Sequence, residues 1–161
     1  MKKVFIAAIM YLSVLTTNTF AEVKMGIILG FTGPIESLTP AMAASAELAF
    51  KEASDSGSLL GGEKIKPIRA DSTCVDSAAA TTAAEGLVSQ GIAAIMGADC
   101  SGVTGAIASN VAVSNGIVMI SPSATSPGLT TLDDKGLFFR TAPSDARSEE
   151  HTSELQSQPD L

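Results

Sequence analysis

Residues 97–129 read GADCSGVTGAIASNVAVSNGIVMISPSATSPGL and carry the most informative pattern in the sequence. It places two hydroxyl-rich loops, each after a short apolar run typical of a buried strand, on either side of a helix-like segment. Ligands of an open α/β sheet bind at the carboxyl ends of its strands. Small residues there let a ligand approach the backbone, and hydroxyl groups can hydrogen-bond to it. The stretch has no obvious nucleophile–base pair and no metal-ligating cluster, so it favours a binding protein over an enzyme.

Along the chain, apolar runs of strand length alternate with segments of helical spacing. Strands are predicted at residues 23–30, 64–71, 92–97, 117–121 and 137–141, and helices at residues 75–90, at residues 101–114 and from about Thr39 to a stop at Gly57. Pro67 predicts that the second strand lies at an edge of the sheet. The alternation predicts βαβ units, and therefore an α/β fold with a three-layer, doubly wound parallel sheet.

Residues 1–21 have the pattern of an export signal. Lys2 and Lys3 precede an apolar run, and the small residues Thr19 and Ala21 lie three before and one before an expected cleavage after Ala21. The run is shorter than the roughly 20 apolar residues that span a bilayer comfortably. We expect a cleaved signal peptide, with a membrane anchor as the alternative.

The other end of the sequence turns abruptly polar. Residues 147–157, RSEEHTSELQS, resemble the translation of a common sequencing adapter at every position. We expect residues 147–161 to be a non-native tail, with a native polar tail as the alternative. Residues 22–146 would then be about one domain's worth of a truncated chain. That segment contains no histidine, because His151 lies in the tail.

Charge and cysteine content narrow the class of protein. The net charge of −7 argues against nucleic acid as a partner, because phosphates require a basic patch. Cys74 and Cys100 are the only cysteines, and an even count in an exported chain predicts a disulfide. Two free thiols are the alternative. A metal site is disfavoured, because two thiolates without histidine leave a tetrahedral zinc ion half-ligated.

Catalytic motifs are weak in this sequence. Residues 57–64 resemble a phosphate-binding loop only superficially, because Glu63 separates the glycines from Lys64. A Ser-His-Asp triad needs a histidine that residues 22–146 lack. Asp71 and Asp99 could form an acid/base pair, but the favoured interpretation is that carboxylates at strand ends cap a helix or turn.

The hydroxyl groups of the two loops allow two interpretations each. Ser101 is predicted to begin a helix directly after a strand, where its hydroxyl and the first-turn N–H groups form an anion site or cap the helix. Ser123 and Thr125 lie in a proline-bracketed loop after the next strand. They either contact a ligand or satisfy their own turn.

Four segments resemble the periplasmic leucine/isoleucine/valine-binding proteins, the type I amino-acid receptors of ABC importers. They are residues 23–34, 71–78, 95–101 and 116–130, and the likeness extends over residues 22–146. The resemblance implies that these residues form the first part of lobe one of a type I periplasmic binding protein. It also implies that Cys74 and Cys100 form that lobe's disulfide.

The resemblance further implies a ligand-binding set of four residues. Ser101 would bind the carboxylate of an amino acid through its hydroxyl and backbone N–H. Ser123 would offer backbone groups, Ala124 belongs to the same set, and the Thr125 hydroxyl would contact the polar head of the ligand. Ser123 stands where alanine is commoner, which leaves a backbone contact intact.

The function implied is that of a substrate-binding component of an ABC transporter. It would bind a branched-chain or related amino acid in the periplasm, as a monomer without cofactor, metal or catalysis, and deliver it to an inner-membrane permease. One alternative is a sensory ligand-binding domain of a receptor or amide-type regulator. Another is a secreted α/β enzyme whose catalytic part is missing.

Overall fold

The computed structural model describes residues 22–147. The predicted signal peptide at residues 1–21 lies outside the described residues, as does the predicted tail except for Arg147. Five strands and three α-helices follow in the order β1 Glu22–Leu29, α1 Thr39–Asp55, β2 Lys64–Asp71, α2 Ser77–Ser89, β3 Ala94–Gly97, α3 Ser101–Ile107, β4 Val118–Ser121 and β5 Phe138–Arg140. Short 3-10 turns lie at Leu59–Gly61 and Pro127–Thr131.

All five strands are parallel, in the order β2-β1-β3-β4-β5. The predicted α/β class and parallel sheet are confirmed. The edge position predicted for β2 is also confirmed: Pro67 is in register with Met25 of β1, and β2 has no neighbour on its other side within residues 22–147. A proline has no N–H to donate, so an edge is where a sheet tolerates it.

The helices cover both faces of the sheet. The chain moves from β1 to β2 in one direction and from β2 through β5 in the other, so right-handed crossovers place α1 opposite α2 and α3. Strand β1 is accordingly buried on both sides. Ile28 belongs to the large core beneath α2 and α3, whereas Ile27 and Leu29 pack with Ala43 of α1.

The predicted helix at residues 101–114 is interrupted, which is a correction to the sequence analysis. Helix α3 ends at Ile107 and continues as a wider π-turn over Ala108–Ala112, where the Val113 N–H donates to the Ala108 carbonyl. The buried residues recur in pairs spaced by four: Val103 and Thr104, Ile107 and Ala108, Val111 and Ala112. Because an α-helix repeats every 3.6 residues, the wider turn keeps the last pair on the buried face.

The face that carries α1 is only partly covered. Ile120 of β4 and Phe139 of β5 lie side by side in register and are 43% and 52% exposed. A groove lined mainly by apolar side chains runs between α1 and this part of the sheet, past Met42, Phe50 and Met96. Within residues 22–147, no helix combines the length and apolar character needed to cross a membrane.

Candidate functional site

The candidate site lies at the carboxyl ends of the central strands. Strands β1 and β3 are neighbours whose following connections run in opposite directions along the sheet. Such a reversal opens a crevice between the two loops, and it is where open α/β sheets bind ligands. The loop after β3 leads within three residues to Ser101. Ser101, the first of the predicted site residues, therefore lies at the reversal point of the sheet.

Ser101 and Thr125 are brought together directly. The Ser101 Oγ accepts hydrogen bonds from the backbone N–H groups of Thr125 and Ser126, each with an N···O distance of 3.1 Å. The alternative that Ser101 caps its own helix is wrong. Cys100 occupies the cap position and Ser101 is the first helical residue, so its hydroxyl is directed to the loop after β4 instead.

The other two candidate residues lie in the same loop but in different environments. Ser123 is exposed, and its Oγ donates to the Asp99 carbonyl at 3.1 Å. Ala124 is buried, and its N–H donates to the Ser121 Oγ at 3.0 Å. The N–H of Ala124 is thus already used within the protein.

Ser121 and Arg140 hold this loop and were not predicted as site residues. The buried Ser121 Oγ donates to the Ala98 carbonyl at 2.5 Å, which ties the end of β4 to the loop after β3. The Arg140 guanidinium donates to the Ser126 carbonyl at 2.9 Å and to the Thr130 hydroxyl at 2.5 Å. The position of each at the carboxyl end of a strand was the available sequence signal, but their partners lie 10 to 23 residues away.

Asp99 and Asp71 each bind donors of their own. The Asp99 carboxylate is buried and accepts from the Gly30 N–H at 2.8 Å and the Cys100 N–H at 2.9 Å. Asp71 accepts from the Thr32 hydroxyl at 2.5 Å and the Thr73 N–H at 2.8 Å. No hydrogen bond joins the two carboxylates among the described residues, and these contacts match the favoured interpretation of capping groups.

The environment of Asp71 changes its acidity. Partial burial works to raise the pKa of Asp71, but hydrogen bonds from the Thr32 hydroxyl and from the backbone N–H groups of Thr73, Thr32 and Phe31 outweigh it. The pKa of Asp71 therefore lies below its ordinary value. The ionised carboxylate fixes the loop after β1 against the end of β2.

The predicted disulfide between Cys74 and Cys100 is present, with the two Cα atoms 5.2 Å apart. It links the loop after β2 to the residue that precedes Ser101. Thr73 and Cys74 both have positive φ angles, 56° and 69°, so the loop makes a sharp left-handed turn into the bridge. The disulfide and the Asp99 carboxylate thus fix the backbone on either side of the Asp99–Cys100 peptide.

The predicted site residues supply neutral hydrogen-bonding groups, whereas the charged side chains of Asp99 and Arg140 bind within the protein. Hydroxyl groups and backbone N–H groups of two loops converge at the strand ends. Within residues 22–147, no three His, Cys, Asp or Glu side chains cluster so as to hold a metal ion. Ser101 and Thr125 lie beside each other at this end of the sheet.

Comparison with known proteins shows the family of this chain. Residues 22–152 match the family model described as periplasmic binding protein. The Leu/Ile/Val-binding protein homolog 1 of Brucella abortus is 35% identical over 130 residues, which are 80% of this chain and 33% of the relative. The leucine-specific-binding protein of Salmonella typhimurium is 32% identical over 128 residues, or 80% of this chain and 34% of the relative.

A solved structure shows the same fold. The branched-chain amino acid transporter substrate-binding protein LivJ from Streptococcus pneumoniae, in complex with isoleucine, matches with a TM-score of 0.69 and 29% identity. The alignment covers 78% of this chain and 35% of that one. The chain thus spans about a third of the length of these relatives. A family match over most of the sequence, with a parallel sheet of the same fold, shows that the chain belongs to the periplasmic binding protein family.

Proposed function

We propose that this chain is part of a substrate-binding protein of an ABC importer and that it binds a branched-chain or related small amino acid. Relatives at 32% and 35% identity are named for leucine or for leucine, isoleucine and valine, and the similar solved structure holds isoleucine. The observation that carries the proposal is the contact between Ser101 and the backbone of Thr125 and Ser126 at the strand ends.

The contact prepares Ser101 to donate a hydrogen bond. A serine hydroxyl has one proton to donate and two lone pairs to accept. Because two backbone N–H groups occupy the acceptor side of Ser101, its proton is available for an acceptor such as the ligand carboxylate. We expect that carboxylate to bind the Ser101 hydroxyl and backbone N–H.

Thr125 would bind the polar head of the same ligand. Its backbone is fixed, because its N–H donates to Ser101 and its carbonyl accepts from the Asp145 N–H at 3.0 Å. Among the described residues, no hydrogen bond involves the Thr125 hydroxyl, which leaves it available to the ligand. Ser123 and Ala124 would line the site with backbone groups, although the Ala124 N–H is committed to Ser121.

A loop fixed before the ligand arrives lowers the ordering cost of binding. Closure of a second lobe over this half-site would exclude water and complete the cage. The ligand would be held and released without chemistry, and the loaded protein would act as a monomer on an inner-membrane permease.

We also propose the division of the sequence into three parts. Residues 1–21 would be the export signal, residues 22–146 part of lobe one in the periplasm, and residues 147–161 a non-native tail. The beginning of the family match at residue 22 supports the first boundary, whereas its end at residue 152 lies six residues beyond the second. Of the two alternatives, neither a sensory domain nor a secreted enzyme is named among the relatives described above.

The test is calorimetric titration of leucine, isoleucine and valine into the protein extended to the length of its relatives. We expect binding of at least one of them, and at least a tenfold loss of affinity in the double variant Ser101→Ala, Thr125→Ala. Thr82→Ala is the matched control, because its hydroxyl only bonds back to the Ala78 carbonyl within α2. Unchanged affinity in the double variant would remove these residues from the site.

A further inference from the structure

We propose that Asp99 is a positioning residue whose buried carboxylate sets the geometry of the ligand-binding loops. The inference rests on the proposed function, because it concerns the same site. Asp99 itself faces the protein interior and is 5% exposed. It acts through Ser101, Thr125 and the loop after β4, which are the groups expected to touch the ligand.

The carboxylate joins the loops that follow three strands. Its Oδ2 accepts from the Gly30 N–H after β1 at 2.8 Å. Its Oδ1 accepts from the Cys100 N–H after β3 at 2.9 Å and from the buried Ser72 hydroxyl after β2 at 3.4 Å. A single side chain, that of Asp99, therefore binds all three loops at the base of the crevice between β1 and β3.

The backbone of the same residue extends this anchor to the fourth loop. The Asp99 carbonyl accepts from the Ser123 hydroxyl at 3.1 Å, and the adjacent Ala98 carbonyl accepts from the Ser121 hydroxyl at 2.5 Å. Ser101, two residues further on, then accepts from the Thr125 and Ser126 N–H groups. A shift of the backbone at Asp99 would move Ser101 and Thr125 relative to each other.

A carboxylate is required because the surrounding groups are all donors. Two N–H groups and one hydroxyl point at its two oxygens, and hydrogen bonds to an ionised acceptor are the stronger class. An asparagine of the same shape has one acceptor oxygen and one NH₂ group. Its NH₂ would face either the Gly30 or the Cys100 N–H, donor against donor, and one loop would be released.

The experiment compares Asp99→Asn with Ser54→Ala in the protein extended to the length of its relatives. Ser54 is also a buried polar tether, since its Oγ donates to the Phe50 carbonyl at 2.7 Å and accepts from the Ile65 N–H at 2.9 Å. Ser54 lies in the last turn of α1 and binds the amino end of β2, whereas the site lies at the carboxyl ends of the strands. Both variants are expected to lower the melting temperature, so stability alone cannot separate them.

Two measurements separate a positioning role from a merely stabilising one. In amide hydrogen exchange without ligand, Asp99→Asn should speed exchange at Thr125 and Ser126 at least tenfold, whereas Ser54→Ala leaves it within twofold. In leucine titration, Asp99→Asn should lose at least tenfold in affinity and Ser54→Ala less than twofold. Unchanged exchange and affinity in Asp99→Asn, or equal losses in both variants, would overturn the proposal.

Two further outcomes are also decisive. If Asp99→Asn does not fold, Ser72→Ala removes only the longest of the three bonds, and it should still speed exchange at the Gly30 and Cys100 amides at least threefold. Unchanged exchange there would overturn the proposal. If the unsubstituted protein binds none of the three amino acids, the proposal of a branched-chain ligand is wrong, and the exchange rates alone decide whether Asp99 fixes the loops.

Discussion

Single hydroxyl groups join the loops of this site. The Ser101 Oγ accepts hydrogen bonds from two N–H groups of the loop after β4, and the Ser121 Oγ donates one to the loop after β3. Ser121 ends β4 and Ser101 begins α3, so each serine ties its own segment to the loop of the neighbouring strand.

Asp71 gives a prediction about acid stability. Its pKa in the folded protein lies below its ordinary value, because hydrogen bonds from Thr32 and Thr73 outweigh the effect of burial. In the unfolded chain, the Asp71 carboxylate takes up a proton near pH 3.9, which is above its pKa in the folded protein. The stabilisation is therefore fully present above that pH and is lost as the pH falls through the folded pKa.

We expect Asp71→Asn to flatten this acid dependence. Between pH 6 and pH 3, the free energy of unfolding in urea should fall less in the variant than in the unsubstituted protein. Asp133→Asn, at an exposed position, controls for the removal of a carboxylate. An equally steep fall in all three proteins would show that Asp71 does not contribute.

How far residues could be predicted depends on where their partners lie. Ser101 and Thr125 could be placed together, because each follows one of two neighbouring strands in the sequence itself. The role of Asp99 could not be predicted, because its partner Gly30 is 69 residues away and nothing local to Asp99 indicates it. The same holds for Arg140, which was predicted only as part of a strand.

Among the strands, β3 requires a glycine where it ends. Gly97 has a φ angle of +131°, which side-chain-bearing residues rarely adopt. A Cβ placed there would lie 2.0 Å from the Ile28 carbonyl oxygen of β1. The close approach of β1 and β3 at their carboxyl ends therefore requires a residue without a side chain at position 97. The base of the crevice depends on the same glycine.

We expect Gly97→Ala to lower the free energy of unfolding by about 2–4 kcal/mol, through backbone strain and the separation of β1 from β3. Gly86→Ala is the matched control. Gly86 lies inside α2, and its added Cβ would meet no atom within 4 Å apart from its chain neighbours and its own helix backbone, so the substitution should stabilise the protein by about 0.5–1 kcal/mol. Urea unfolding of both variants measures the difference. Equal stabilities would contradict the strain argument.

The elements themselves were predictable where a local rule applied. The alternation of strand and helix patterns predicted the parallel sheet, and Pro67 predicted that β2 lies at its edge. The π-turn after α3 was not predicted, because the pattern of residues 101–114 is also that of a continuous helix. The apolar pairs spaced by four residues were the signal, and only their common burial makes it plain.

The proposed site is built from one side only. The hydroxyl and N–H groups that would bind a ligand all come from loops at the carboxyl end of a single sheet. A pocket for a small molecule usually encloses about 70–90% of the ligand surface, and loops at the end of a single sheet cannot enclose that much. The described residues and the length of the relatives, about three times that of the matched region, together suggest that the remaining surface belongs to another part of the protein.

Residues 22–147 alone should therefore bind leucine on the order of a hundredfold more weakly than the protein extended to the length of its relatives, because the loops of one sheet neither enclose the ligand nor exclude water from it. An NMR titration monitored through the amide resonances of Ser101 and Thr125 measures the weak affinity, and calorimetry measures the strong one. A cooperative thermal transition of the shorter protein must first establish that it is folded. Equal affinity in a folded shorter protein would mean that the loops after β3 and β4 hold the ligand by themselves, without closure of a second lobe.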